Sequence, residues 1–210
     1  MPLKKYVPIN LDVVGRRCLV VGGLDEALMK SRMLVDAGGE VVLVSPRVLP
    51  ELESLAVEGK LTWHKRRYRE SDLAGVWAIW NTVEEDKELC ESFQREAIAR
   101  NLLLNTVDQP DNSTFAMPAL LLRGLLRIGV STCNASPGLA VRIRDGLAEA
   151  FGEEFEQFLD WLAEVKTTIV PALATKKERK GHMRELVKEF KLSAKVRLPK
   201  SWDEAKSKRK

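Results

Sequence analysis

The chain has little cysteine, less histidine and no long apolar run. Its 210 residues include three cysteines (Cys18, Cys90, Cys133) and two histidines (His64, His182). The cysteines show no C-x-x-C spacing and three cannot all pair, which excludes a disulfide framework and makes a reducing cytoplasm the expected setting. The histidines stand far apart, so a His-rich metal site is excluded and no metal ligands are expected. No segment approaches the roughly 18 consecutive apolar residues of a membrane helix. The opening Met1-Pro2-Leu3-Lys4-Lys5-Tyr6 is too polar for a signal peptide. Aromatic residues make up only 6% of the chain and none interleaves with a basic recognition motif, so neither a nucleic-acid nor a membrane partner is expected.

What remains is an ordinary globular composition, 45% hydrophobic and 30% charged. The net charge of +4 is uneven. Lys176-Lys177-Glu178-Arg179-Lys180 and the terminal Lys206-Ser207-Lys208-Arg209-Lys210 read as a solvated face and a frayed tail.

Residues 17–110 alternate apolar runs with helical patterns, the rhythm of βαβ units and a parallel sheet. Strands are expected at 17–21, 41–45, 61–63, 76–80 and 102–105. Helical spacing fills 25–37, stopping at Gly38-Gly39, and also 49–57 and 86–99. The basic connection 63–72 is expected on the surface. Residues 116–122 read as a short apolar helix and 125–131 as a strand. Ser136-Pro137 has the form of an N-cap with proline at the first helical position, opening a helix to about Phe151. From 151 to 169, Phe151, Phe155, Phe158, Leu159, Leu162, Val165 and Ile169 form an amphipathic stripe that Pro171 ends. A last helix is expected over 182–190.

The first strand, Arg17-Cys18-Leu19-Val20-Val21, runs into Gly22-Gly23-Leu24-Asp25-Glu26-Ala27. A dinucleotide fold needs glycine after its first strand for the tight turn, and again where backbone meets pyrophosphate. Here Leu24 occupies the second glycine's place, and Asp25 with Glu26 adds negative charge. The helix N-terminus still offers free N–H groups and a favourable dipole. The second strand ends Ser45-Pro46-Arg47, with no acidic residue to hold a ribose diol. Arg47 is either a partner for a 2′-phosphate or a solvated loop residue.

Past the fifth strand come Asn105-Thr106-Val107-Asp108-Gln109-Pro110, Phe115-Ala116-Met117-Pro118-Ala119 and Ser131-Thr132-Cys133-Asn134-Ala135-Ser136-Pro137. Asp108 stands just beyond the carboxyl end of a buried strand, where open α/β sheets bind ligands. The residues alone leave two readings level: a carboxylate for proton transfer, or a cap for the turn before Pro110. Ser131, Thr132, Asn134 and Ser136 cluster small polar groups before a helix, suited to carboxylate recognition, with Ser136 an N-cap in either case. Cys133 has no histidine near in sequence, so a thiol nucleophile is rejected. Arg123, Arg127, Arg142 and Arg144 flank the cluster and can offset an anionic ligand's charge.

In order and spacing these motifs, over about residues 5–150, resemble the precorrin-2 dehydrogenase family, the sirohydrochlorin-forming part of sirohaem synthase. Relatives read Gly-Gly-Gly-x-Val-Ala at the turn, so Leu24 and Glu26 depart from the pattern. They read Ala-Thr-Asp-Asp-x-x-Leu-Asn where this chain has Val83-Glu84-Glu85-Asp86-Lys87-Glu88-Leu89-Cys90, and Ser-Thr-Gly-Gly-Ala-Ser-Pro where Cys133 and Asn134 replace two glycines.

The resemblance implies an α/β, Rossmann-like NAD-binding domain over 1–112, a dimerisation segment over 113–149, and a helical C-terminal domain with a basic tail over 150–210. It implies NAD held at Gly22, Gly23, Leu24, Asp25, Glu26, Pro46 and Arg47. Asp108 matches the aspartate credited with the family's activity. Precorrin-2 is then expected against Asn105, Ser131, Thr132, Asn134 and Ser136. The implied function is NAD-dependent oxidation of precorrin-2, an eight-carboxylate tetrapyrrole, to sirohydrochlorin by a homodimer. Some members also insert Fe²⁺. Two rivals stand beside it: a nucleotide-impaired chelatase or carrier, on the evidence of Leu24 and Glu84, and a non-catalytic docking protein of the same pathway.

Overall fold

The structure is a computed structural model and describes residues 4–202, so the terminal run 206–210 lies outside the described residues. By internal contacts the chain forms two units. The first comprises Met1–Leu122 and Arg127–Ala150; the second comprises Arg123–Leu126 and the chain from Phe151 onward.

In the first unit the elements run β1 (Arg17–Val21), α1 (Asp25–Asp36), β2 (Glu40–Val44), α2 (Pro50–Val57), β3 (Thr62–His64), β4 (Ala78–Asn81), α3 (Lys87–Arg100) and β5 (Leu103–Thr106). The five strands form one parallel sheet in the order β3-β2-β1-β4-β5. The strands read as continuous apolar runs because helices cover both faces of such a sheet. Cys18, Val20, Leu43 and Trp80 pack on one face with Ala27, Leu34 and Leu52. Leu19, Val21, Val44, Ile79 and Leu104 pack on the other with Phe93 and Ala97. The order reverses between β1 and β4, which opens a crevice at the strands' carboxyl ends.

The caps follow sequence chemistry. After α1 the amides of Gly38 and Gly39 donate back to Val35 and Leu34 carbonyls at 3.0 and 2.9 Å. Asp86 caps α3, accepting from the Leu89 amide at 3.0 Å, and Asn101 ends it in the left-handed region at φ 54°.

Connection 63–72 is not merely a solvated loop. Its Asp72 side chain is 4% exposed and grips Arg66 in a fork, Nη1 to Oδ2 at 2.7 Å and Nη2 to Oδ1 at 2.5 Å. The Arg69 amide adds a bond at 2.9 Å. The Arg66 hydrogen bonds hold the Asp72 carboxyl below the usual carboxylate range, against the opposing effect of its burial.

Residues 116–122 do not form the expected helix. Residues 116–118 belong to no regular element, and β6 (Ala119–Arg123) pairs with β7 (Leu126–Val130) in a hairpin. Pro118 bars Met117 from helical geometry, and a short apolar run fits either element by periodicity alone. α4 (Pro137–Ala150) follows, its first turn capped by Ser136 Oγ, which accepts from the Leu139 amide at 3.2 Å.

In the second unit α5 (Glu153–Glu164) starts two residues after Phe151, beyond Gly152, and passes into a π turn over Val165–Ile169. There the Thr167 and Thr168 hydroxyls donate to carbonyls three and four residues back, competing with the regular ladder. Phe151 and Val165 are buried, whereas Ile169 is 50% exposed, so the stripe is narrower than its spacing implies. The last helix, α6 (Lys176–Val187), begins earlier than expected. A capping box sets its start: Thr175 Oγ1 accepts from the Glu178 amide at 3.2 Å, and Glu178 accepts from the Thr175 amide at 2.9 Å.

Candidate active site

β1 delivers the chain into the glycine turn at the crevice. Gly22 lies between β2 and the segment after β4, donating to the Val44 carbonyl at 3.2 Å. Its φ is 121°, and a Cβ there would lie 2.0 Å from Thr82 Oγ1. A Cβ on Gly23 would lie 2.0 Å from the Arg47 carbonyl oxygen, and the Gly23 carbonyl accepts from the Leu49 amide at 2.9 Å. Both glycines are therefore required by the protein's own backbone packing. Leu24 is different. It has ordinary extended dihedrals, φ −101° and ψ −164°, and is 73% exposed.

α1 starts at Asp25 with no side-chain cap. An uncapped helix N-terminus behind a tight glycine turn fits the pyrophosphate of a dinucleotide, since the first N–H groups of a helix have no intrahelical partner. Pro46 and Arg47 lie exposed at the end of β2, beside the turn through the Arg47 carbonyl. The residues at hand thus fit the group the glycine motif implies.

The second half of the site is a loop that folds back along β5. The Leu104 amide donates to Thr114 Oγ1 at 2.7 Å, and the Thr106 amide to Ser113 Oγ at 2.9 Å. Ser113 Oγ in turn donates to the Gln109 carbonyl at 2.8 Å. Gln109 Nε2 donates to the Glu84 carbonyl at 2.6 Å, tying this loop to the one after β4. Asn105 is 7% exposed and donates to the Phe115 carbonyl at 3.3 Å.

Within that frame Asp108 is held in the left-handed region, φ 52°. Its side chain is exposed, and its carboxylate carries no hydrogen bond or ion pair among the described residues. The turn before Pro110 is closed without it, by the Gln109 amide donating to the Thr106 carbonyl at 3.2 Å. The side chain is therefore not a turn cap.

A cleft of about 240 Å³ gathers Asp108, Asn105, Glu26 and Asn134, four of the residues singled out from sequence. It also takes in Lys30 and Ser113, which sequence reading passed over, and Gln109, Phe115 and Met117, which it quoted within the motifs but gave no role. Lys30 had a legible signal: it sits among Ala27, Ser31 and Leu34 on the inward face of α1. A larger depression of about 380 Å³ between α1 and α2 is lined by Arg32, Asp36, Glu51, Ser54, Glu58 and Lys60 and shares no lining residue with the cleft.

The Ser-Thr loop is used mostly locally. Thr132 Oγ1 donates to the Ser136 carbonyl at 2.9 Å and accepts from the Ser136 amide at 3.1 Å. Ser131 Oγ accepts from the Cys133 amide at 3.1 Å. Asn134 alone of the four reaches the cleft. Cys133 and Asn134 have φ of 51° and 64°, left-handed geometry that explains why glycine suits both positions. None of Arg123, Arg127, Arg142 and Arg144 lines the cleft, and Arg144 pairs with Asp145 at 2.6 Å.

Comparison with known proteins agrees with this geometry. The profile of a family described as "Putative NAD(P)-binding" matches residues 9–119. The chain is 29% identical over 181 residues to a siroheme synthase of Citrobacter koseri, covering 86% of this chain and 39% of the relative. It is 35% identical over 140 residues to a siroheme synthase of Chromobacterium violaceum, covering 67% of this chain and 30% of the relative. The chain thus spans well under half the length of these relatives. Among solved structures, "SirC, precorrin-2 dehydrogenase" superposes with a TM-score of 0.74 at 25% identity, covering 88% of this chain and 90% of that one. The chain belongs to the NAD(P)-binding family, within the group formed by precorrin-2 dehydrogenases and sirohaem synthases.

Proposed function

We propose that the protein is a dehydrogenase of sirohaem biosynthesis that oxidises precorrin-2 to sirohydrochlorin with NAD. The observation that carries this reading is Asp108: an unbonded carboxylate, fixed by a hydrogen-bonded loop, at the carboxyl end of β5 in a cleft beside the glycine turn.

Removing two hydrogens from the substrate means loss of a hydride and of a proton. A bound nicotinamide supplies the hydride acceptor. The chain's own residues do the rest. Gly22, Gly23 and the first N–H groups of α1, at Leu24, Asp25 and Glu26, receive the pyrophosphate, with Pro46 and Arg47 alongside. Asp108 takes the proton on a carboxylate oxygen that no donor among the described residues occupies. Its αL backbone and the Gln109 and Ser113 bonds fix where that oxygen stands. Asn105 and Asn134 line the same cleft and orient the macrocycle. Ser131, Thr132 and Ser136 build the loop that presents Asn134.

The test is anaerobic incubation with precorrin-2 and NAD, read by absorbance for sirohydrochlorin. No product from a folded protein with NAD present overturns the reading. Addition of Fe²⁺ to sirohydrochlorin in the same protein tests iron insertion separately. Tetrapyrrole binding without NAD binding would favour a chelatase or carrier instead.

The working form in this reading is a homodimer. Leu122 is 46% exposed, Leu139 50% and Ile143 42%, apolar surface on β6 and α4 that an isologous contact would bury. A monomer in sedimentation at micromolar concentration would remove the dimer from the proposal.

A further inference from the structure

The cleft contains one cation, and it sits in an unexpected place. Lys30 is 6% exposed, on the inward face of α1. Its Nζ lies 3.2 Å from Glu26 Oε2, one turn earlier, in a side chain that is 47% exposed. No hydrogen bond with good geometry accompanies this ion pair among the described residues. Most of the Lys30 side chain is buried, and one half-solvated carboxylate compensates its ammonium weakly. An ammonium carries three donors, and the Glu26 contact engages one, so the group keeps capacity for a ligand in the cleft that Lys30 lines.

We propose that Lys30 is the anion-binding group of the cleft, capturing a carboxylate of the tetrapyrrole, with Glu26 as an internal competitor that the ligand displaces. The inference rests on the dehydrogenase reading for the identity of its ligand. Two ligands could bring an anionic oxygen here, a nucleotide phosphate or a macrocycle carboxylate. The geometry favours the carboxylate. The uncapped start of α1 and the glycine turn already offer the donors a pyrophosphate needs. Lys30 lies more than a turn further along the helix, in the cleft that Asn105, Asp108 and Asn134 line. Asp108 and Glu26 both repel an incoming carboxylate, so a binding cation beside them is what lets a polyanion approach an acidic base. Displacing Glu26 leaves it half-solvated, whereas the freed ammonium gains a buried partner.

The experiment uses the full chain, sirohydrochlorin as probe under anaerobic conditions, and NAD titrated separately. Lys30→Met is expected to weaken sirohydrochlorin binding about tenfold or more and to flatten its salt dependence, leaving NAD affinity within twofold. Lys30→Arg should restore most of the loss. Glu26→Gln changes a half-exposed side chain and serves even where Lys30→Met folds poorly. It should tighten sirohydrochlorin binding about threefold. Unchanged sirohydrochlorin affinity in Glu26→Gln, or in folded Lys30→Met, overturns the proposal. A Lys30→Met loss confined to NAD overturns it in favour of a phosphate contact. Wild-type protein that binds sirohydrochlorin but makes none from precorrin-2 refutes the dehydrogenase reading and leaves Lys30 as the anchor. Wild-type protein that binds no sirohydrochlorin overturns both.

Discussion

Replacing Asp108 with asparagine separates the chemistry of this residue from its backbone role. Its φ of 52° is strained for most side chains, and Asp and Asn are among those that tolerate it best. Alanine would confound the test by adding backbone strain, and glycine by removing it. Among the described residues the carboxylate has no protein partner to lose, and the loop is held by other bonds. These are Gln109 to Glu84 at 2.6 Å, Ser113 to Gln109 at 2.8 Å and Gln109 to Thr106 at 3.2 Å. Stability should therefore change by less than about 0.5 kcal/mol, the range for a surface exchange away from such features. NAD affinity should also hold, since the glycine turn and the α1 N-terminus are untouched. Turnover is a different matter. The amide cannot accept a proton at neutral pH, and loss of a general base costs about 10² to 10⁴ in rate. That range corresponds to about 3–5 kcal/mol of barrier. The assay is anaerobic NADH formation with precorrin-2, alongside a denaturant melt and an NAD titration on the same sample. Turnover within a few-fold of wild type, in a protein that melts and binds NAD normally, would refute the assignment of Asp108 as the base.

Leu24→Gly should tighten NAD binding several-fold by calorimetry, because it removes a 73%-exposed side chain from the mouth of an uncapped helix start. Glycine's better N-cap preference offsets its backbone entropy, so stability should move by less than about 1 kcal/mol, and unchanged affinity would show that the leucine does not obstruct the nucleotide. Asp72→Asn should cost about 2 kcal/mol at pH 7 by loss of charge-assisted bonds to Arg66. Because the folded carboxyl titrates below its unfolded value, that contribution is full above about pH 4 and disappears as pH falls through the lower folded value. Urea melts of the two proteins should thus differ at pH 7 and converge toward pH 2, and a constant gap would contradict the pairing. Cys133→Gly should stabilise the fold by about 0.5–1 kcal/mol, because φ is 51° there, a backbone conformation that costs a side chain more than it costs glycine. A destabilised variant in thermal melts would show that the thiol packs.

The parallel sheet was legible because burial on both faces makes its strands near-continuous apolar runs, and Gly22-Gly23 and Gly38-Gly39 punctuate them. The hairpin was not, because Ala119-Leu120-Leu121-Leu122 is equally apolar as helix or strand. Only Pro118 and the Gly124 turn decide between them. The start of α6 was written in Thr175 and Glu178 but masked by the charge run around it.

The site divides the same way. The place of Asp108 and Asn105 in the cleft was readable from their position at the end of a buried strand, since sheet topology alone puts strand ends at the crevice. Ser131, Thr132 and Ser136 were read as a ligand surface, yet their hydroxyls bond to nearby backbone. A polar cluster in sequence does not reveal whether the chain itself will satisfy it. The charge balance was misplaced for a related reason. Four arginines near the Ser-Thr loop look like anion binders, and none lines the cleft. The cation that does is a lysine on a helical stripe otherwise occupied by Ala27, Ser31 and Leu34. Periodicity marks those positions as inward, so a charge among them breaks the local rule. Such breaks concentrate where a fold trades stability for binding or chemistry. A guanidinium at the surface costs little to hold, whereas a lysine on the inward face of α1, 6% exposed, carries a desolvation cost that a bound carboxylate offsets.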